Sequence, residues 1–233
     1  MTTGTNGTTK RCDRLLLAAV WIVCVFGVPS ALGAGGSAPG LAEVIANHCR
    51  AREATTALEA QFIETKVFTV FGEEETSKGT LFFGQPDRVC WRYSEPDQSS
   101  TVINGESGWS VFPGIKQIQK FELEGSKTDK VLSIVGFGRC ATPLTESFDI
   151  TMTIEKKGGF VLAMKPTDDD ITPYFSRIDL TLDRKDYLPR KIELFETSGD
   201  VLIFEFSELD RDVDLDESIF EYVVPNGYEV VEY

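Results

Sequence analysis

The sequence predicts a mainly β, α+β fold built on one antiparallel sheet that is strongly curved or partly closed. Three observations carry this. From Ala60 onward, apolar and polar residues alternate with a period of two through many short segments, the mark of strands that show successive side chains to opposite faces. Turn signals separate those segments at regular short spacing, as in an up-and-down sheet. Helical periodicity is confined to the start of the chain and one stretch in its middle.

Taken in order, Leu41, Val44, Ile45 and His48 form a narrow helical stripe, with Pro39 suited to the first turn, so a helix is expected from Leu41 to about Leu58. Phe62 to Phe71 reads as the first strand, followed by a solvated turn at Gly72 and Glu73 to Glu75. Thr80 to Gly84 and Arg88 to Ser94 follow, split by Gln85-Pro86-Asp87, where proline removes an amide donor and breaks the strand. Thr101 to Ile103 and Gly108 to Phe112 form a hairpin around Asn104-Gly105, a strong turn pair, and Lys116 to Glu122 continues the meander. From Ser126 to Phe148 the alternation stops. Thr128 to Phe137 is expected as a short apolar helix, capped by Ser126 or Thr128 and ended by Gly136 or Gly138, with a second short helix opening at Thr142-Pro143. Strands then resume at Asp149 to Glu155, Phe160 to Lys165, Ser176 to Leu182, Leu188 to Glu196 and Val201 to Leu209, and Phe220 to Val223 and Tyr228 to Val231 close the chain.

The 233 residues suffice for one domain with a sizeable core. The first residues lie outside it. Lys10, Arg11 and Arg14 precede an apolar run from Leu15 to Val28, then a small-residue stretch from Ser30 to Ala38. That is the layout of a secretory signal peptide over residues 1–34, cleaved somewhere between residues 31 and 38, and the run is too short for a comfortable membrane span. Cys24 is a poor lipid-attachment site because bulky Trp21-Ile22-Val23 precedes it. A linker over 35–40 then leads into one domain over 41–233. Losing Lys10, Arg11, Arg14 and Asp13 takes the formal charge from −14 to −16. So acidic a chain repels phosphate backbones and anionic lipid, which argues against nucleic-acid partners. Cys49, Cys90 and Cys140 remain after cleavage, so at most one disulfide forms and at least one thiol is left over; the sequence does not select the pair.

No catalytic constellation stands out. His48 is the sole histidine and sits on an apolar stripe, as a packed histidine does. Gly105-Glu106-Ser107-Gly108 lacks the spacing of a nucleophile elbow. Asp210, Asp212, Asp214 and Glu221 match four positions of a calcium loop, but Leu215 stands where that loop needs glycine, so a solvated acidic turn is expected. No metal-ligand cluster, phosphate loop or cofactor motif is recognised, and the expectation is a non-enzyme without cofactor or metal. The remaining signal is apolar. Leu81, Phe83, Val89, Trp91 and Tyr93 lead into Trp109 and Val111; Phe160, Leu162 and Met164 lead into Ile178, Leu180 and Leu182; Ile192, Leu194 and Phe204 extend the set. Either these form an ordinary core, or they line a cavity for an apolar ligand beneath the mid-chain helix.

From about Leu41 the chain resembles the LolA family of periplasmic lipoprotein carriers. The order of signposts carries the resemblance: Phe62, then Gly79 to Phe83 leading to Pro86, Trp91, Glu95-Pro96, Asn104-Gly105, Trp109 and Phe112-Pro113, and finally Phe220-Glu221-Tyr222 with Pro225-Asn226-Gly227. The resemblance implies an incomplete, strongly bent antiparallel half-barrel with a helical lid and a monomeric periplasmic protein. It implies an apolar cavity lined by Leu81, Phe83, Val89, Trp91, Tyr93, Trp109, Val111, Leu162, Met164, Ile178, Leu180, Leu182, Leu194 and Phe204. The lid would present Val131, Leu132, Ile134, Val135 and Phe137. Acylated lipoprotein cargo would come from an inner-membrane ABC transporter and pass to an outer-membrane receptor. A carrier of another lipid or glycolipid, or a periplasmic sensor of a lipoprotein or protein partner, are the alternatives. The family's arginine before the turn proline, which bonds lid carbonyls, is Gln85 here, and Phe62-Ile63-Glu64 replaces its usual Phe-x-Gln. Gln85 lacks a charged fork, so closure is expected to be weaker or to rest elsewhere, for instance on Arg88.

Overall fold

The computed structural model describes residues 38–123, 134, 136–137, 140, 143–156 and 158–233. Helix α1 (Leu41–Ala54) is followed by β1 (Ala57–Phe68), β2 (Glu73–Gly84), β3 (Arg88–Glu95), β4 (Ser99–Asn104), β5 (Ser107–Phe112) and β6 (Gln117–Glu122). Beyond the mid-chain stretch come a single-turn helix α2 (Leu144–Ser147), then β7 (Phe148–Ile154), β8 (Phe160–Pro166), β9 (Phe175–Leu182), β10 (Pro189–Glu196), β11 (Val201–Arg211) and β12 (Glu229–Glu232). The strands form one 12-stranded sheet in the order β12-β6-β5-β4-β3-β2-β1-β11-β10-β9-β8-β7. It is a long open sheet with β12 and β7 at its two edges. Every pairing is antiparallel except β12 on β6, which is parallel.

Most predicted elements form, with instructive differences. The helix stops at Ala54, and Thr55 turns extended while its hydroxyl bonds back to Ala51 O at 2.8 Å. Two consecutive β-branched threonines favour strand over helix at that point. Leu58, expected at the helix end, is therefore in β1, fully buried and paired with Phe83. β1 ends at Phe68 rather than Phe71, and β2 starts at Glu73, inside the expected turn. The hairpin thus runs to a tip where Gly72 takes φ +65°, a backbone region glycine adopts without strain. Asn104-Gly105 makes the expected turn, with Gly105 at φ +62°. Phe220 to Val223 is not a strand; Glu217–Phe220 is a 3-10 turn. The expected mid-chain helix lies largely outside the described residues, as do the signal peptide and linker residues 35–37; Ile134 is helical and α2 follows Pro143.

Register fixes two faces. Rows such as Ala60–Leu81–Trp91–Thr101–Ser110 lie on one face, termed the front, and rows such as Phe82–Cys90–Val102–Trp109 on the back. The front carries the main core, running from Phe148 of β7 to Ile103 of β4, with Val44 of α1, Phe137 and Leu144 packed on it. The back carries a smaller cluster of Phe82, Cys90, Val102, Trp109 and Ile118. The last stretch of chain covers it: Leu215, Ile219, Phe220 and Tyr228 pack there, and Tyr222 meets Trp109 edge-on at 5.3 Å. Cys90 is buried in this cluster as a free thiol, its pKa pushed by burial up to about 11.

Gly79 shows how tightly the front is closed. A Cβ there would lie 2.2 Å from Arg92 O and 2.7 Å from the Phe62 ring. Glycine thus lets the Phe62 ring lie against the strand beside Tyr93, which it meets edge-on at 5.1 Å.

Candidate functional site

The front face divides into an apolar field and a cover. Leu81, Phe83, Val89, Leu162, Met164, Ile178, Leu180 and Leu182 are at most 1% exposed, and Trp91, Leu194 and Phe204 are buried at 6–9%. All belong to one cluster, against which the half-buried Tyr93 packs. Trp109 and Val111 do not join them. The pairing Val102↔Trp109 and Cys90↔Val102 puts Trp109 on the back, and Val111 packs there too. The sequence grouped them with the front because alternation within a strand does not say which phase faces which side.

The cover consists of α1 and the mid-chain residues Ile134, Phe137 and Leu144. Phe137 is 2% exposed and meets Phe83 at 6.3 Å and Phe206 edge-on at 5.5 Å. Val131, Leu132 and Val135 lie outside the described residues. Among the described residues, a disulfide and a side-chain hydrogen bond tie the mid-chain segment to α1. A disulfide joins Cys49 to Cys140, across 91 residues of sequence. Arg52, 2% exposed, donates from Nη2 to Phe137 O at 2.6 Å.

Arg52 is the residue that sequence reasoning missed. Among the described residues Gln85 bonds α1 rather than the mid-chain segment: its Nε2 donates to Glu53 O at 2.9 Å, at the end of the helix. Arg88 lies on the back, stacked over the Phe220 ring at 5.0 Å and ion-paired with Glu217. The guanidinium that bonds a mid-chain carbonyl comes from α1 instead. A signal existed, since Val44, His48 and Arg52 repeat at four-residue spacing and put a charge on the apolar stripe.

His48 sits between them, fully buried, with Nδ1 2.8 Å from Tyr187 O. Burial, reinforced by the nearby Arg52 charge and opposed by the Tyr187 bond, pulls its pKa from 6.5 to about 3. The unfolded chain therefore takes up a proton on this ring as pH falls below 6.5, while the folded chain does not until about pH 3. Its contribution to stability is present above pH 6.5 and is lost as pH falls towards 3. Between pH 7 and pH 5 the loss is about 2 kcal/mol. Urea unfolding at the two pH values should show it, and His48→Gln should remove most of the difference; an equal pH dependence in the variant would contradict this account.

Among the described residues, no group of three His, Cys, Asp or Glu side chains is placed to hold a metal. Asp212, in the expected acidic turn, accepts from the Thr56 amide at 3.3 Å and hydroxyl at 3.1 Å, tying β11 to the start of β1.

The family model described as "Outer membrane lipoprotein carrier protein LolA" matches residues 53–223. The outer-membrane lipoprotein carrier protein of Alkalilimnicola ehrlichii is 27% identical over 158 residues, 68% of this chain and 69% of that protein. That of Methylobacillus flagellatus is 25% identical over 179 residues, 77% of this chain and 84% of that protein. Among solved structures, an uncharacterized conserved protein from Thermus thermophilus superposes with a TM-score of 0.53 at 14% identity, covering 82% of this chain and 99% of that one. That likeness concerns the fold alone.

Proposed function

The chain belongs to the LolA family, and from that premise we propose that it is a periplasmic carrier whose front face takes up the acyl chains of lipoproteins. The observation that carries the reading is the unbroken apolar field from β7 to β3, closed by a cover rather than by a second sheet. Each CH2 withdrawn from water is worth about 0.8 kcal/mol, so several acyl chains cross an aqueous compartment only when shielded. In the closed protein Leu180, Met164 and their neighbours are packed against the cover, so uptake displaces α1 or the mid-chain segment and the sheet acts as an incomplete barrel beneath a helical lid. Arg52 and the Cys49–Cys140 bond keep the mid-chain segment tied to α1 as the cover moves. Acyl chains then replace Phe137 against Phe83 and Phe206, and no bond is made or broken.

In this reading the signal peptide exports the chain, an inner-membrane releasing transporter loads it, and an outer-membrane receptor takes the cargo. The test is capture of the tagged protein from periplasm, followed by mass spectrometry of what it holds. Triacylated peptides are the expected result. Recovery of phospholipid or glycolipid alone would overturn lipoprotein transport, and a stable protein complex without acyl chains would point to a sensor.

A further inference from the structure

We infer that the front of β4–β6 is a subsite for the uncharged polar head of an acylated ligand, the glyceryl-cysteine and first peptide units of a lipoprotein; this rests on the carrier reading above. The front face changes chemistry at Trp91 and Ile103. Beyond them its polar positions are Ser99 and Thr101 on β4, Ser110 on β5, and Gln117 and Gln119 on β6, all half-buried, set among Gly108 and Phe112 on β5 and Phe121 on β6. The Thr101 and Ser110 hydroxyls lie 2.9 Å apart, and Gln119 Nε2 donates to Gln117 Oε1 at 3.2 Å.

A solvated strand face is usually dotted with charge. Here every charge of these strands is on the back or at an end. Lys120 pairs with Glu122, and Arg92 stacks over the Phe82 ring. From Val89 to Phe121 the front positions of β3–β6 hold no Lys, Arg, Asp or Glu.

A groove of about 860 Å³ opens on the same side, lined by Ser77, Tyr93, Gln98, Ser99, Phe112 and Ile115, with exposed Asp97 at its rim. Tyr93 is the joint between field and groove. Its ring meets Phe62 of the apolar cluster, its hydroxyl donates to Glu64, and it also lines the groove. Acyl chains lying over Leu81 and Trp91 would bring their head group out past Tyr93.

The lining selects the head. Hydroxyls and primary amides both donate and accept, matching peptide amides and glyceryl esters. No cation stands at the described front positions of this strip; Arg92, which lines a smaller adjoining pocket with Tyr93 and Ser99, is stacked over Phe82 on the back, and Asp97 repels a phosphate. The strip therefore favours a lipopeptide over a phospholipid carrying the same chains.

The test uses the mature protein and displacement of a fluorescent polyene fatty acid. The competitors are palmitate, a tripalmitoyl-glyceryl-cysteinyl-serine peptide, and dipalmitoyl phosphatidylglycerol. The expected result is a preference of the unmodified protein for the lipopeptide over phosphatidylglycerol. Thr101→Val/Ser110→Ala should lower the ratio of lipopeptide to palmitate affinity about tenfold, the worth of one or two lost hydrogen bonds. Ser99→Lys should raise phosphatidylglycerol affinity relative to lipopeptide, and stands as the second variant should the first fold poorly. Unchanged ratios in both variants, with palmitate still bound, would overturn the subsite and leave the carrier reading intact. Failure of the unmodified protein to bind palmitate or lipopeptide would overturn both.

Discussion

Cys49→Ser/Cys140→Ser is expected to cost about 4.6 kcal/mol of global stability, the value the chain-entropy account gives for closing a loop of this length. The bond spans 91 residues and encloses β1 to β6, so without it the unfolded chain gains freedom across half the sheet. Among the described residues it is also the one covalent tie between α1 and the mid-chain segment, acting alongside the Arg52 bond to Phe137 O. The measurement is urea unfolding of the native and doubly substituted proteins, with reductant added to the native protein as a second route to the same state. The buried Cys90 thiol, with its raised pKa, is a poor partner for exchange, so reduction acts on the one bond. A loss below about 1 kcal/mol by both routes would show that the unfolded chain is already held compact and the bond adds little.

Most strands were legible because period-two alternation and turn residues are local signals. Asn104-Gly105 is the best case: the turn formed where the sequence placed it. What local signals did not carry was register. Trp109 and Val111 have the same alternating phase as any apolar strand, and only the pairing Asn104↔Ser107 across a two-residue turn shows that Trp109 faces Val102. Followed through Cys90 to Phe82, that pairing would have placed both residues on the back. The parallel addition of β12 to β6 was not legible either, since it joins segments more than a hundred residues apart with no turn to mark them. Arg52 was overlooked for a different reason. A charged residue on an apolar stripe contradicts the pattern, and its explanation, the Phe137 carbonyl, lies 85 residues away. Local pattern thus recovered the sheet and most of the apolar field, while the assignment of faces and the polar ties of the cover required long-range pairing.

The front-face assignment leads to the sharpest expected contrast in acyl uptake. On the carrier reading, Trp91→Glu should reduce uptake of a fluorescent fatty acid by about a hundredfold or more, because an ionised carboxylate placed in the apolar cluster of Leu81, Phe83 and Phe62 must either keep its water there or be buried unpaired. Val111→Glu should leave uptake close to that of the native protein. Val111 is half-buried on the back, and a carboxylate there remains within reach of water. The two substitutions introduce the same charge on nearby strands, so their difference reports the face and not the charge. Near-UV circular dichroism and thermal melting identify folded variants before uptake is compared. If Trp91→Glu does not fold, Leu194→Gln, at a front position 6% exposed, asks the same question with an uncharged polar group. Native-like uptake by a folded Trp91→Glu would remove the apolar field from the acyl site, and equal losses at Trp91 and Val111 would mean that the front face has no special claim to the ligand. The contrast follows from one structural fact: β5 meets β4 with Ser110, not Trp109, beside Thr101.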